Sequence, residues 1–450
     1  MLRRSFGLLC LSGLCGLAVA APPEAAPPPK STSPFTGSIG CAAAGCHNGM
    51  GVHGRPGNEY STWIRDPHAK AYSVLFNTQS KQISRNLDRK EPAYKDRQCL
   101  ACHATPAPSD HPEALADGVG CESCHGAARD WRTIHYQAGW KSLEAAGKAK
   151  FGMVDTKDLA ARAKRCAECH VGTPDAQVDH DLIAAGHPRL AFEFSGYMAA
   201  YQPKHWLREQ EPFGNEFEGR AWQIGQLASA RAAAELLRAR AADSTGNWPE
   251  LSEYGCFGCH HDLKDDASAW RRSPRYAGLS VGSLPWGSWY FALPEAAGLP
   301  HDAAAEMSAL TALMAKPYPP REQVAAAAEK LRDSLDAALK SASDASRPLD
   351  APSVEKSLHT LIADGQKPYA VGDWEHAVQR YLAIAAHAQC LGDMNPASRS
   401  PERRALLAAL RDELAFPNVP KKYDSPPAFA PAKFQQLMRD LDRSFAPTKR

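Results

Sequence analysis

The sequence predicts a mainly α-helical protein, with a region of short helices and long loops followed by a C-terminal helical bundle. Alternation of apolar and polar residues with period two is scarce along the chain, which argues against β-sheets. Gly, Pro and charged residues separate repeated cysteine–histidine motifs within residues 41–265. From residue 301 onwards apolar residues recur every three to four positions, most clearly in residues 321–342, 353–364, 374–391, 401–414 and 432–445.

The repeated motif has the order Cys-x-x-Cys-His and occurs four times. A looser copy comes first in the chain, with four residues between its two cysteines. Two thiols that add to the vinyl groups of one haem, followed directly by the histidine that binds the iron, are typical of c-type haem attachment. The sequence therefore predicts five covalently bound c-type haems, stacked within the region of short helices. The predicted attachment cysteines and proximal iron ligands are Cys41, Cys46 and His47; Cys99, Cys102 and His103; Cys121, Cys124 and His125; Cys166, Cys169 and His170; and Cys256, Cys259 and His260.

Other histidines of the same region can supply the second axial ligand of each iron. Five bis-histidine haems need five such residues, and the region holds eight, so the pairing stays open at this point. His205 lies in a turn, residues 203–206, that we expect to be exposed and able to line a substrate cleft. We expect the distal ligands to be His68, His135, His180, His187 and His261, with His53, His111 and His205 as alternatives. The remaining histidines are interpreted as ordinary surface or core residues: His301, His359, His376 and His387.

Zinc binding is the main alternative to haem attachment for these cysteines. The second and third motifs are separated by 18 residues between Cys102 and Cys121, a spacing that fits a zinc ribbon. Repetition favours haem, because neither zinc nor a disulfide requires a histidine after every cysteine pair. Ten of the 13 cysteines belong to the motifs, and of the others Cys390 is predicted to be a buried, unpaired thiol in a helix.

The N-terminus is typical of an exported protein. Residues 1–20 combine a basic start, a short apolar run and a small-residue cleavage site, so we expect a signal peptide and a periplasmic protein. Residues 21–40 are predicted to be a flexible Pro-rich spacer. No later stretch is apolar enough to span a membrane. Once residues 1–20 are removed, Lys plus Arg equals Asp plus Glu at 50 each, which gives no sign of nucleic-acid binding.

The expected organisation after the spacer has three parts. Residues 41–265 form the multihaem cytochrome c domain, residues 266–300 an irregular aromatic-rich connector, and residues 301–450 a helical C-terminal domain. Within the first part we expect a helix in residues 60–75 that carries His68, which Pro67 places near the start of a helix. We also expect a strong helix in residues 217–243.

The order of the motifs, including the stretch GVGCESCHG of residues 118–126, resembles the cytochrome c-554 family of multihaem cytochromes. The resemblance covers roughly residues 41–187 and implies close-packed haems that relay electrons. Residues 179–193 and 248–263 are similar to larger exported multihaem proteins with a helical tail. The wider group includes multihaem nitrite reductases and hydroxylamine oxidoreductases, but this chain has no Cys-x-x-Cys-Lys motif and five motifs where the hydroxylamine enzymes have eight.

These patterns favour an electron carrier over an enzyme. We expect an exported pentahaem cytochrome that transfers electrons between periplasmic redox proteins, such as a membrane quinol-linked donor or a terminal reductase. The alternative is an oxidoreductase that acts on a small nitrogen or sulfur species, such as hydroxylamine, nitrite or sulfite, at one five-coordinate haem. That site would be the iron of His47 or His103, with His205 or His111 as proton donor.

Overall fold

A computed structural model describes residues 34–49, 57–106, 112–201, 204–256, 283–287, 289–367, 374–415 and 429–445. The predicted mainly α class is confirmed: within these ranges the secondary structure is helical, and the only β pairing consists of two isolated bridges, Thr173 with Ala176 and Tyr254 with Trp286. None of the helices in the described part of the chain is long and apolar enough to cross a membrane. The predicted signal peptide and five predicted site residues lie outside the described residues: His53, His111, Cys259, His260 and His261.

The helices of the motif region are short. The α-helices are α1 Glu59–Trp63, α2 Thr78–Asn86, α3 Arg97–His103, α4 Cys121–His125, α5 Ala138–Lys141, α6 Ala145–Ala149, α7 Leu159–His170, α8 His180–Ala184 and α9 Phe194–Ala200. Single 3-10 turns lie between them and further along the chain, at Ser38–Cys41, Pro67–Lys70, Ser73–Phe76, Pro112–Asp117, Arg208–Gln210, Gly214–Glu216, Leu251–Glu253 and Pro396–Ser398.

The longer helices follow, and they begin and end close to the predicted positions. They are α10 Phe217–Ala242, α11 His301–Met314, α12 Arg321–Ala342, α13 Ala351–Gly365, α14 Trp374–Met394, α15 Pro401–Leu414 and α16 Pro431–Phe445. Ala, Leu, Arg and Glu, which have high helix propensity, dominate these segments.

The helix predicted for residues 60–75 is instead broken into α1 and two 3-10 turns. Asp66 has extended backbone dihedral angles, and its side chain accepts a hydrogen bond from the backbone N–H of His68 at 2.9 Å. Pro67 has no N–H to donate to the preceding turn, so a new turn starts there. The break places His68 in the first turn after a capping aspartate.

The main hydrophobic core surrounds α10 and continues across the expected boundary at residue 265. Trp222, Ile224, Leu227 and Leu237 of this helix are almost fully buried, and α10 packs against α7, α9, α12 and α14. Each such side chain contributes about 1.5–3 kcal/mol to stability by burial. Within its described residues, the motif region also has a small separate cluster, formed by Ala128, Trp131 and Trp140.

The contact between α9 and α10 depends on a residue without a side chain. A Cβ atom added at Gly225 would lie 2.5 Å from the Cβ of Phe194. Gly225→Ala should therefore lower the free energy of unfolding by about 1–3 kcal/mol, because Phe194 cannot move away from its own backbone. Gly139 is exposed and has no neighbouring atom within 4 Å, so Gly139→Ala is the matched control. Denaturant unfolding of the haem-loaded protein measures both variants, and equal effects would contradict this packing.

Candidate haem centres

Three of the described motifs lie at the C-terminal ends of helices. The motifs ending at His103, His125 and His170 close α3, α4 and α7, with the histidine as the last helical residue in each. Residues three apart lie on the same face of a helix, so both thiols of a motif point to one side. Asp96 and Asp158 begin α3 and α7 by accepting hydrogen bonds from backbone N–H groups. The first motif differs, because Cys41 ends a 3-10 turn and His47 lies in the following turn.

Each motif histidine of the described residues faces one histidine from outside the motifs. The four pairs of ring centres are 6.0 to 6.3 Å apart. A nitrogen ligand lies about 2 Å from its metal and about 1 Å from the centre of its own ring, so two imidazoles on opposite sides of one metal ion have centres about 6 Å apart. The pairs are His47 with His135, His103 with His187, His125 with His205, and His170 with His68.

Hydrogen bonds fix which nitrogen of these rings is free. Five of the eight histidines place Nδ1 against an oxygen that cannot donate, either a backbone carbonyl or a carboxylate, so Nδ1 carries the proton. The lone pair of Nε2 is then available to a metal ion. The Nδ1 partners are Glu59 Oε2 for His47 (3.2 Å), Asp66 Oδ1 for His68 (3.1 Å), Ala71 O for His103 (2.8 Å), Arg132 O for His135 (2.7 Å) and Pro188 O for His187 (2.7 Å).

Burial keeps several of these imidazoles neutral. It lowers the pKa of His125 and that of His170 to about 4, with smaller contributions from His205 and His68 respectively. Burial also lowers the pKa of His187 and His205. A protonated imidazole cannot bind a metal, so the buried rings are held in the form that a haem iron requires.

The thiols of different motifs approach one another. Cys41 contacts Cys121, and this hydrogen bond, more than burial, raises the pKa of the Cys41 thiol. Cys102 contacts Cys169 in the same way, and the pKa of the Cys169 thiol is raised for the same reasons. The first motif is therefore a neighbour of the third, and the second is a neighbour of the fourth.

This arrangement differs from the zinc ribbon considered above. A ribbon would gather the second and third motifs around one ion, whereas Cys102 and Cys121 each contact a cysteine of another motif. Within the described residues there is no group of three or more His, Cys, Asp or Glu side chains that could hold a metal ion. Paired thiols, neutral imidazoles and ring centres about 6 Å apart fit covalent haem with two axial histidines.

Three of the expected distal candidates take part in these pairs: His68, His135 and His187. His205, expected in an exposed turn, is instead half-buried, with its ring 5.0 Å from that of Trp206 and a buried Nδ1 that has no hydrogen-bond partner. The exposed-turn prediction was therefore wrong. His180 begins α8 and is not one of the four partners, and its backbone N–H donates to Glu250 Oε1 at 2.8 Å.

The His205 loop is attached to the helix that carries the fourth motif. Arg162 of α7 donates to both carboxylate oxygens of Glu211, at 2.8 and 3.1 Å. Glu211 is 8% exposed and also accepts a hydrogen bond from the indole N–H of Trp206. Because Trp206 follows His205 directly, this buried ion pair fixes the ring beside His125. Sequence reasoning did not single out Arg162 or Glu211, since neither belongs to a local pattern.

The segment after His187 is held by residues from beyond the motif region. Trp289 donates from its indole N–H to Phe192 O at 2.8 Å, and the Tyr290 hydroxyl donates to Leu190 O at 3.1 Å. Arg189 forms an ion pair with buried Glu375 at the start of α14. The predicted aromatic connector thus contributes hydrogen bonds to the segment that follows His187.

Comparisons with known proteins agree with the motif pattern. Residues 41–126 match the family described as cytochrome c554 and c-prime. Over 153 residues the chain is 29% identical to cytochrome c-554 of Nitrosomonas europaea. The match covers 31% of this chain and 58% of that relative, which is less than two thirds of the relative's length. The comparison with solved structures gave no match.

The support given by Trp289 is open to a direct test. Trp289→Phe should leave Phe192 O buried without a donor, a loss of about 1–3 kcal/mol. Amide hydrogen exchange in residues 187–192 should then accelerate about tenfold or more while the haem content stays the same. Tyr318, which is 88% exposed, provides the control Tyr318→Phe. Unchanged exchange in Trp289→Phe would show that this bond does not hold the loop.

Proposed function

We propose that this protein is an exported pentahaem cytochrome c that carries electrons between periplasmic redox partners. Residues 41–126, which contain its first three motifs, match the cytochrome c554 and c-prime family, and this similarity supports the proposal. The observation that supports this most strongly is the pairing of every described motif histidine with a second histidine at a ring distance of 6.0 to 6.3 Å. When bound, the haems supply one-electron redox chemistry.

In this proposal the residues divide into three roles. The cysteines of each motif hold the haem covalently, and the motif histidine is the proximal ligand. The distal ligands are His135 for the first motif, His187 for the second, His205 for the third and His68 for the fourth.

The fifth site is proposed from fewer contacts. Cys256 follows the segment of Glu250, and Glu250 accepts the backbone N–H groups of both His180 and Ser252 at 2.8 and 2.9 Å. The bond from His180 to Glu250 holds the N-terminus of α8 beside residues 250–256, which lead into the fifth motif. His180 is therefore our first candidate for the distal ligand of the iron that His260 would bind, and His261 is the alternative.

The geometry favours a carrier over the alternative oxidoreductase. A substrate needs an iron with a free position, and the irons of His47 and His103, considered above for that role, each have a partner histidine. His205, considered as a proton donor, is the partner of His125. Rings fixed on both sides change little when the iron changes its charge, which suits electron transfer.

Electron paramagnetic resonance of the oxidised protein, made with haem-maturation machinery, is the central experiment. We expect five haems by intact mass and low-spin iron in all the sites, because the proposal gives each iron two histidine ligands. A high-spin signal that shifts on adding nitrite, hydroxylamine or sulfite would contradict the carrier proposal. A mass with four haems and an unmodified Cys41 would remove the first motif from the set.

Substitution of a distal ligand tests the pairing itself. His205→Ala should convert one low-spin iron to high-spin while all five haems stay attached, because the thioether bonds to Cys121 and Cys124 are untouched. His359→Ala is the control, since that ring lies in α13 and contacts Phe445 at 5.1 Å. An unchanged spectrum in His205→Ala would remove His205 from the ligands.

A further inference from the structure

The hydrogen-bond partners of the paired histidines are not equivalent. His47 and His68 donate from Nδ1 to carboxylates, whereas His103, His135 and His187 donate to backbone carbonyls. A carboxylate carries a full negative charge and draws the proton of Nδ1 more strongly than a neutral carbonyl does. The imidazole then becomes a stronger donor to its metal.

The two carboxylates differ in exposure. The Asp66 side chain is 1% exposed and that of Glu59 is 25% exposed. Electrostatic interactions are stronger where water is excluded, so Asp66 acts on its histidine more strongly than Glu59 does. Asp66 is held in place by two further bonds, from the backbone N–H of His68 to Oδ1 and from the Tyr201 hydroxyl to Oδ2.

From these contacts we propose that Asp66 and Glu59 are positioning residues that set the reduction potentials of two of the haem sites below those of the others. This inference rests on the proposed axial ligation. The couple at each iron is Fe(III) taking up one electron to give Fe(II), with no bond formed or broken. A negative charge conveyed through the histidine stabilises Fe(III), the more positive form, and so lowers the potential.

Histidines with and without a carboxylate partner also alternate between neighbouring motifs. The first motif, with Glu59 behind His47, is next to the third, where Nδ1 of His205 has no partner. The fourth motif, with Asp66 behind His68, is next to the second, where both rings donate to carbonyls. Each neighbouring pair thus joins a ring that donates to a carboxylate, His47 or His68, to rings that do not, His205 in one pair and His103 and His187 in the other. Glu59 and Asp66 act on His205 through space, without a hydrogen bond.

Asp66→Asn removes the charge and keeps the shape. The amide oxygen can still accept from His68, and the amide nitrogen can donate to the Tyr201 oxygen. In a spectroelectrochemical titration of the haem-loaded protein, we expect one component to shift to higher potential. A tenfold change in the ratio of ferrous to ferric iron corresponds to about 59 mV for one electron. The other components should shift less, with the next largest shift at the third motif, where Asp66 acts on His205 through space without a hydrogen bond.

Tyr201→Phe should shift the reduction potential in the opposite direction. Without the hydroxyl, Asp66 loses a donor and concentrates its charge toward His68, so the same component should move to lower potential.

Glu59→Gln should raise the potential of a different component by a smaller amount, because Glu59 is more exposed than Asp66. Asp158→Asn controls for net charge, since Asp158 is exposed and caps the end of α7 farthest from His170.

Intact mass distinguishes failure of the proposed function from failure of the proposed tuning by Asp66 and Glu59. A chain without attached haem refutes the proposed function. All haems attached with no component shifted, or Asp66→Asn and Tyr201→Phe shifting one component in the same direction, refutes the tuning role of Asp66. If Asp66→Asn loses a haem, the decision falls to Tyr201→Phe and Glu59→Gln: shifts down and up respectively support the inference, and unchanged potentials overturn it.

Discussion

The structure depends on one repeated interaction, the hydrogen bond from Nδ1 of a histidine to an oxygen behind it. This bond fixes the proton on Nδ1, orients the ring and leaves Nε2 free toward the partner ring. The acceptors come from turns and helix ends, such as Ala71 O behind His103 and Arg132 O behind His135. The short helices of the motif region therefore contribute acceptors at defined places more than a core of their own.

The stability that keeps these acceptors in place comes largely from elsewhere. The core around α10 is continuous from α7 through the C-terminal helices, and it reaches the loops that carry His187 and His205. Arg162 of α7 fixes the His205 loop through Glu211, while Trp289 and Tyr290 fix the segment after His187. Arg189 also pairs with Glu375 of α14, so the C-terminal helices help to hold the loop that follows His187.

Local patterns in the sequence predicted the helical class, the family resemblance and the long helices, because each of these depends on residues close together in the chain. The sequence could not predict which histidines face each other, because His47 meets His135 and His125 meets His205 only after long loops close. His205 was misplaced because its burial depends on Arg162 and Glu211. His68 had a readable signal, an aspartate and a proline just before it that start a new turn.

The four described sites have the same kind of ligands and yet different surroundings. Nδ1 faces a carboxylate in two of the histidine pairs, carbonyls alone in another, and in the remaining pair the Nδ1 of His205 has no partner. With the proposed ligation, one kind of ligand set would then give irons of unequal affinity for an electron. The contacts Cys41 to Cys121 and Cys102 to Cys169 place unequal sites side by side. Under the proposed tuning, an electron shared by such neighbours would reside mainly on the one whose histidines do not donate to a carboxylate, so the oxygen behind a histidine would set the direction of transfer within each pair.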